Sequence, residues 1–143
     1  MVKNFTFSEL TRTNTKLANT PNDMNIVDNL CFTATMLQHI RDRFGFAIRV
    51  TSCYRSPAVN AAVKGSSTSA HLQGLAADIC AYSGKSADNR CLLDVVLKCL
   101  DYSSLDIDQV IVHTVDGSEK SAVKFIHVGW TQGVPRHQIL YSK

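Results

Sequence analysis

The feature that most constrains the fold is a carboxylate placed inside an apolar strand. Residues Leu75–Ala81 form a short apolar run bounded by Gly74 and Gly84, a pattern that predicts a buried β-strand, and Asp78 stands in its middle. Burying an unpaired carboxylate is costly, so Asp78 needs a partner. That partner is either a metal ion or a set of backbone or arginine hydrogen bonds. For an isolated aspartate the second choice is the usual one.

Two histidines raise the same question. His71 stands in a polar loop that turns at Gly74, and His127 stands among apolar neighbours in a second predicted strand. A lone histidine in such a strand is more often a core residue than a ligand. Two histidines and one carboxylate near strand ends, however, form the ligand set of a catalytic zinc with one open position. His71, Asp78 and His127 are therefore the candidate metal ligands, and a metal-free core is the alternative.

Helical and strand patterns are mixed along the chain without strict β-α-β alternation. Apolar residues recur at helical spacing from Asp23 to Phe44 and from Ser86 to Tyr102, and Ser56-Pro57 starts a further helix. Asp116-Gly117 indicates a hairpin between two of the strands. The predicted strands cover residues 47–53, 75–81, 107–114, 123–130 and 137–141. This mixture indicates an α+β fold, with one domain over residues 1–143.

The composition fits a folded domain and argues against several other classes. The chain has 45% apolar residues, enough for a core, and no apolar run long enough to cross a membrane. Its net charge of +3 is scattered, so the basic stripe typical of nucleic-acid-binding proteins is missing. The five cysteines lack metal-ligand spacing and are interpreted as small buried hydrophobic residues in a reducing compartment. The N-terminus lacks the apolar core of a signal peptide, so we expect synthesis as a cytoplasmic protein.

The run from Ser69 to Asp78 reads Ser-x-His-x-x-Gly-x-Ala-x-Asp and resembles the metal motif of a zinc peptidase family. That family contains the D-Ala-D-Ala carboxypeptidases and the endolysin-type peptidases. The resemblance covers nearly the whole chain in the same order, through Phe5–Leu10, Val50–Pro57, Asp108–Ile111 and Phe125–Val128. The chain is similar to the short, single-domain branch of the family found in bacteria and their phages.

The resemblance implies a fold and a set of residue roles. The fold would be that of the hedgehog and D-Ala-D-Ala peptidases, an antiparallel sheet with helices packed on one side. Zn²⁺ would be held by His71, Asp78 and His127. Arg55 would bind the substrate carbonyl or stabilise the oxyanion, whereas its surroundings alone indicate a helix cap or a pair with an acid. Two further residues would contact the substrate or support a ligand: Ser69 and Gln109.

The resemblance breaks at the catalytic base. Family members place a glutamate shortly after the Asp-Gln-Leu-Ile strand, or an acid three residues before the last histidine, but this chain has His113 and Lys124 there. His113 is on the strand face that would line the cleft, and an imidazole with a pKa near about 6.5 can act as a general base. The alternatives are an acid of the adjoining loop, Asp116 or Glu119, or no base at all.

The sequence therefore predicts a zinc peptidase that hydrolyses D-residue-containing stem peptides or cross-links of peptidoglycan through a zinc-activated water. The alternative is a catalytically inactive zinc domain that binds cell wall or a protein partner, and the missing glutamate favours it. We expect a monomer that acts on the cell wall or its fragments, with release by phage-type lysis as one route. We expect no nucleic-acid partner and no membrane insertion. The choice between carboxypeptidase and endopeptidase stays open.

Overall fold

The computed structural model describes residues 2–102 and 105–143, which form four α-helices, one 3₁₀ helix and five strands. The helices are α1 (Phe7–Leu10), α2 (Met24–Phe44), α3 (Pro57–Ala62) and α4 (Ser86–Tyr102), and the 3₁₀ helix is Ala70–Gln73. The strands are β1 (Ile48–Ser52), β2 (Ala76–Ala81), β3 (Gln109–Thr114), β4 (Val123–Gly129) and β5 (Gln138–Ser142). None of the helices in this part of the chain combines the length and the apolar character that a membrane crossing requires.

Local sequence signals explain where the helices begin and end. Helix α2 begins after Asp23, whose side chain accepts a hydrogen bond from the backbone of Asn25, and it ends at Gly45. Helix α3 begins after Ser56, whose hydroxyl caps its first turn, and Pro57 occupies the first helical position. The helix starts predicted from these residues are confirmed.

The five strands form one sheet in the order β1-β2-β4-β3-β5. Strands β1, β2, β4 and β3 pair antiparallel, and this includes the predicted β3–β4 hairpin. Strand β5 instead pairs parallel with β3. Strand β4 ends beside Gln109, at the start of β3, and β5 begins at Gln138, which also pairs with Gln109. Because residues 130–137 connect these two points at the same end of β3, β5 runs in the same direction as β3. The α+β class is confirmed, while the expectation of a wholly antiparallel sheet is corrected at this last pair.

Helices cover one face of the sheet and leave the other face open. Helix α4 packs on β2 and β4, and α2 packs on α4. The residues of β3 and β4 that face the helices are fully buried: Val110, Val112, Ile126 and Val128. Because successive side chains of a strand point to opposite faces, the residues between them point to the other face. These residues are partly exposed. The candidate ligands Asp78 and His127 lie on this open face.

Gly74 closes the turn between the 3₁₀ helix and β2, and it generates a test of the fold. Its φ is +72°, and a Cβ there would lie 3.1 Å from Cγ of Leu30 and 3.2 Å from the carbonyl oxygen of Ile26. We expect Gly74→Ala to lower the free energy of unfolding by more than the roughly 1–2 kcal/mol that a left-handed conformation costs an L-residue. Urea unfolding measures the loss.

Gly84→Ala is the matched control for this substitution. Gly84 has the same φ of +72° but nothing within 4 Å of its Cβ position, so its variant should show the conformational cost alone. Equal losses in the two variants would contradict the steric contribution of Leu30 and Ile26.

Candidate metal centre

Three side chains on the open face converge on one point. Nδ1 of His127 lies 3.0 Å from Oδ1 of Asp78, and Nε2 of His71 lies 3.3 Å from the same oxygen and 3.2 Å from Nδ1 of His127. Around a tetrahedral zinc with bonds of about 2.0–2.1 Å, neighbouring ligand atoms lie about 3.3 Å apart. The three predicted ligands are thus brought together at a spacing that suits a metal ion.

The sheet register and a short helix place these side chains. Asp78 in β2 and His127 in β4 are direct cross-strand partners, so their side chains stand side by side on one face. His71 comes from the 3₁₀ helix that precedes β2. The hydroxyl of Ser69 caps that helix and accepts a hydrogen bond from the backbone N–H of His71 at 3.2 Å. The predicted residue Ser69 therefore also supports the turn that carries the candidate ligand His71.

A backbone carbonyl fixes the tautomer of His71. Nδ1 of the ring lies 2.5 Å from the carbonyl oxygen of Cys53. Because a carbonyl oxygen only accepts hydrogen bonds, the proton resides on Nδ1 and donates to it. In the neutral ring, Nε2 then presents its lone pair to the cluster. Outer contacts of this kind orient metal-bound imidazoles.

Asp78 stays ionised although only 7% of it is exposed. Burial alone would raise the pKa of this carboxyl group, but when both rings are protonated, the hydrogen bonds from His127 and His71 and the charges of the two rings hold the pKa below its usual range. Its second oxygen, Oδ2, accepts a hydrogen bond from Nη2 of Arg55 at 3.3 Å. One carboxylate oxygen therefore serves the cluster and the other serves the guanidinium group.

Arg55 is held by three acceptors in one arrangement. Besides its contact with Asp78, Nε donates to the hydroxyl of Ser52 at 3.1 Å, and Nη1 donates to the side-chain oxygen of Asn60 at 3.5 Å. The surroundings of Arg55 in the sequence indicated a pair with an acid, and the structure contains that pair. The acid is Asp78, the candidate ligand. Arg55 is placed to orient this carboxylate.

A cleft of about 800 Å³ opens beside the cluster, within the range typical of ligand sites. Its walls include His127 and two of the three residues predicted to contact substrate, Ser69 and Gln109, whereas Arg55 is not among the described residues that line it. The side-chain amide of Gln109 donates to Oε1 of Gln138 at 2.6 Å. The structure thus places Gln109 in the cleft wall and joins it to β5.

The positions where family members carry an acid do not contribute to the cleft. The ring of His113 stacks on Phe125 with centroids 4.2 Å apart, and its Nδ1 lies 3.0 Å from the backbone oxygen of Lys143. Lys124 is exposed. Neither side chain is among the described residues that line the cleft, and the same holds for the two loop acids, Asp116 and Glu119.

Two sets of contacts beside the site were missed by sequence reasoning. Asn60, which accepts from Arg55, donates to the carbonyl oxygen of Ser66 at 2.9 Å. Gly65 lies against this amide, and a Cβ there would overlap Oδ1 of Asn60. The second set is an ion pair between two cleft residues far apart in sequence, Asp108 and Arg136. No local pattern connects these two positions.

The fold and the cluster define a metallopeptidase type of site, and comparison with known families agrees. Residues 3–109, more than half of the chain, match the model of the Peptidase M15 family. The chain therefore belongs to the Peptidase M15 family, whose members are peptidases of the zinc D-Ala-D-Ala carboxypeptidase type. No curated protein matches it. The matched range includes His71 and Asp78 but ends before His127, so the third side chain rests on its sequence motif and on the geometry of the cluster.

The cysteines occupy different environments. Three are wholly or partly buried, namely Cys53, Cys99 and Cys80, and two are exposed, namely Cys31 and Cys91. Their interpretation as buried residues was wrong for Cys31 and Cys91, because apolar neighbours in sequence do not decide which face of a helix a residue occupies. Burial, with the charge of Asp78, raises the pKa of Cys53 to about 12. Its thiol therefore stays protonated at neutral pH and is unsuited to bind a metal.

Native alkylation should separate these thiols. At pH 8 a pKa near 12 leaves a thiolate fraction of only about 10⁻⁴ at Cys53, so we expect rapid labelling of Cys31 and Cys91 and none of Cys53. Mass spectrometry of the digested protein reads out each site. The same reaction in urea, where all five cysteines should react, is the control. Labelling of Cys53 in the folded protein at the rate of Cys91 would contradict its position behind the cluster.

Proposed function

We propose that this protein is a zinc peptidase that hydrolyses D-residue-containing peptides of peptidoglycan. The observation that carries the proposal is the convergence of His71, Asp78 and His127 at the spacing of a tetrahedral zinc, at the wall of a peptide-sized cleft. Membership of the Peptidase M15 family supports peptidase chemistry. The peptidoglycan substrate rests on the resemblance of the sequence motifs.

The donor set fits zinc in its catalytic form. Two imidazole nitrogens and one carboxylate oxygen leave one of four positions open. Bound there, zinc would lower the pKa of a water molecule to about 7 and polarise a peptide carbonyl. The chain prepares the site through Cys53, which holds the ligand tautomer of His71, and through Arg55, which holds Asp78.

Arg55 has a positioning role in this proposal. Its Nη2 engages Oδ2 of Asp78 and so leaves Oδ1 to the metal. The side chain is still 17% exposed, which leaves room for the substrate-carbonyl contact that the family resemblance implies. Ser69 and Gln109 are proposed substrate contacts because both line the cleft.

We also propose that residues 1–143 act as a single, monomeric domain on the cell wall or its fragments. The mild and scattered net charge of +3 supports the absence of a nucleic-acid partner.

Metal analysis tests the ligand assignment. The purified protein should contain one zinc ion per chain by inductively coupled plasma mass spectrometry. His127→Ala removes a direct ligand, so its zinc affinity should fall by more than the roughly 10- to 100-fold typical of an outer contact. His39→Ala, at an exposed position of α2, is the matched control and should bind zinc normally. Full zinc retention by His127→Ala would contradict the assignment.

The alternative function is a zinc domain that binds wall or protein without turnover. The observation that favours it is the absence of a carboxylate at both expected acid positions, His113 and Lys124, neither of which lines the cleft within residues 2–102 and 105–143. The proposed role of His113 as general base requires its ring to leave Phe125 when substrate binds.

Digestion of stem peptides by the zinc-loaded protein separates the two functions. If His113 is the base, His113→Ala should lower kcat by about 10²- to 10⁴-fold with unchanged zinc content. His39→Ala should keep the wild-type rate. Wild-type turnover by His113→Ala would remove this histidine from the mechanism. Zinc binding by the wild type without cleavage of any peptide would favour the binding domain.

A further inference from the structure

The cleft wall carries a cationic side chain, Arg136, apart from the candidate metal ligands. Most of its lining is neutral, with hydroxyl groups of Ser66, Thr68 and Thr131 on its walls. Among the described residues that line it, Arg136 is the one lysine or arginine. Arg136 lies in the connection between β4 and β5, and no family motif quoted above includes it. It is therefore a candidate for recognising charge on a bound peptide.

The guanidinium group of Arg136 is held rigidly by Asp108. Nε and Nη2 donate to the two carboxylate oxygens at 3.1 and 2.8 Å, and the backbone N–H of Arg136 donates to Oδ1 at 2.8 Å. Asp108 is 8% exposed, and its own backbone N–H donates to the carbonyl oxygen of Gly129 at 2.9 Å. The cation is thus mounted on the ends of β3 and β4 and does not move freely with its loop.

One edge of this guanidinium group donates hydrogen bonds to Asp108, and another edge can donate to a ligand. Asp108 occupies Nε and one proton of Nη2, and within residues 2–102 and 105–143 no protein group accepts a hydrogen bond from Nη1. The side chain is 57% exposed where it lines the cleft. Anchoring the loop needs the first edge alone. The Nη1–Nη2 edge keeps the fork geometry that suits a second carboxylate.

The distance from the metal ligands defines where such a carboxylate would lie. Gly129 is two residues beyond His127 in β4, about 7 Å along the strand, and Asp108 is bonded directly to Gly129. An extended peptide advances about 3.3–3.6 Å per residue. The available edge of Arg136 is therefore two to three peptide residues from a carbonyl at the cluster.

We propose that Arg136 is a specificity-determining residue that binds a free carboxylate of the peptide substrate, two to three residues from the bond at the metal site. This rests on the proposed function in taking the cluster as the place of the reacting bond. The site then selects acidic peptides, and amidation of that carboxylate weakens binding because the guanidinium fork loses its charged acceptor.

The test uses matched peptides that differ in one group. The D-alanine-containing peptides are made in pairs. One peptide of each pair carries a glutamate two or three residues from the D-Ala bond, and the other carries a glutamine at the same position. Dissociation constants are measured by calorimetry with the zinc-loaded protein, and KM and kcat are measured where cleavage occurs. We expect the wild type to bind the glutamate peptide about 10- to 100-fold more tightly, as suits a charged hydrogen bond.

The variants separate recognition from loop anchoring. Arg136→Gln should bring the ratio of the two dissociation constants close to one, with zinc content unchanged. Arg136→Lys keeps a positive charge but loses the fork, so its ratio should fall severalfold without reaching one. Arg12→Gln removes an exposed arginine that does not line the cleft, and it should keep the wild-type ratio.

The outcomes are distinct from those of the peptidase proposal, because binding is measured without turnover. A wild-type ratio near one overturns the inference, and so does an equal loss of affinity for both peptides in Arg136→Gln, which would indicate loop anchoring alone. If Arg136→Gln does not fold, an unchanged ratio in Arg136→Lys overturns it. If the wild type cuts neither peptide yet shows the Arg136-dependent ratio, the peptidase proposal fails and the carboxylate site stands.

Discussion

The carboxylate of Asp78 is the interaction on which the site depends. It is almost fully buried, and such a group is tolerated only with cationic or hydrogen-bonding partners on both oxygens. One oxygen meets the two imidazole rings and the other meets Arg55. Because Arg55 is in turn held by Ser52 at the end of β1 and Asn60 in α3, the position of the carboxylate depends on β1 and α3 as well as on β2.

The topology of the sheet turns this interaction into an accessible site. Helices cover one face, so the apolar residues of each strand point toward them and the alternate residues point outward. Asp78 and His127 are both in the outward set and are cross-strand partners. The same alternation that builds the core therefore also places the candidate metal ligands Asp78 and His127 together on the open face.

The connection between β4 and the parallel strand β5 forms a second wall of the cleft. A β4–β5 connection that returns to the start of β3 has to cross the end of the sheet, beside the candidate metal ligands. That connection carries Trp130, buried with its indole N–H donating to the carbonyl oxygen of Leu105, and Arg136, fixed by Asp108. This connection, and not β5 itself, thus lines the cleft.

Much of this could be predicted because it depends on local chemistry. The α+β class follows from periodicity, the helix starts follow from capping residues such as Ser56, and the candidate ligands His71 and Asp78 follow from a motif whose spacing suits a loop and a strand. The exposure of Cys31 and Cys91 was not predictable in this way, because apolar neighbours are compatible with either face of a helix.

The sequence by itself determined the main helices and strands, the identity of the three candidate ligands and the absence of the expected acid at His113. It predicted a loop at His71, where the structure has the 3₁₀ helix Ala70–Gln73. Only the tertiary structure decided that β5 is parallel, that Arg55 reaches Asp78, that His113 stacks on Phe125 outside the cleft, and that Asp108 fixes Arg136. The physical reason is the separation along the chain of the residues that interact. Capping and periodicity act within a few residues, whereas these contacts join side chains far apart in the chain and exist only once register and packing bring them together.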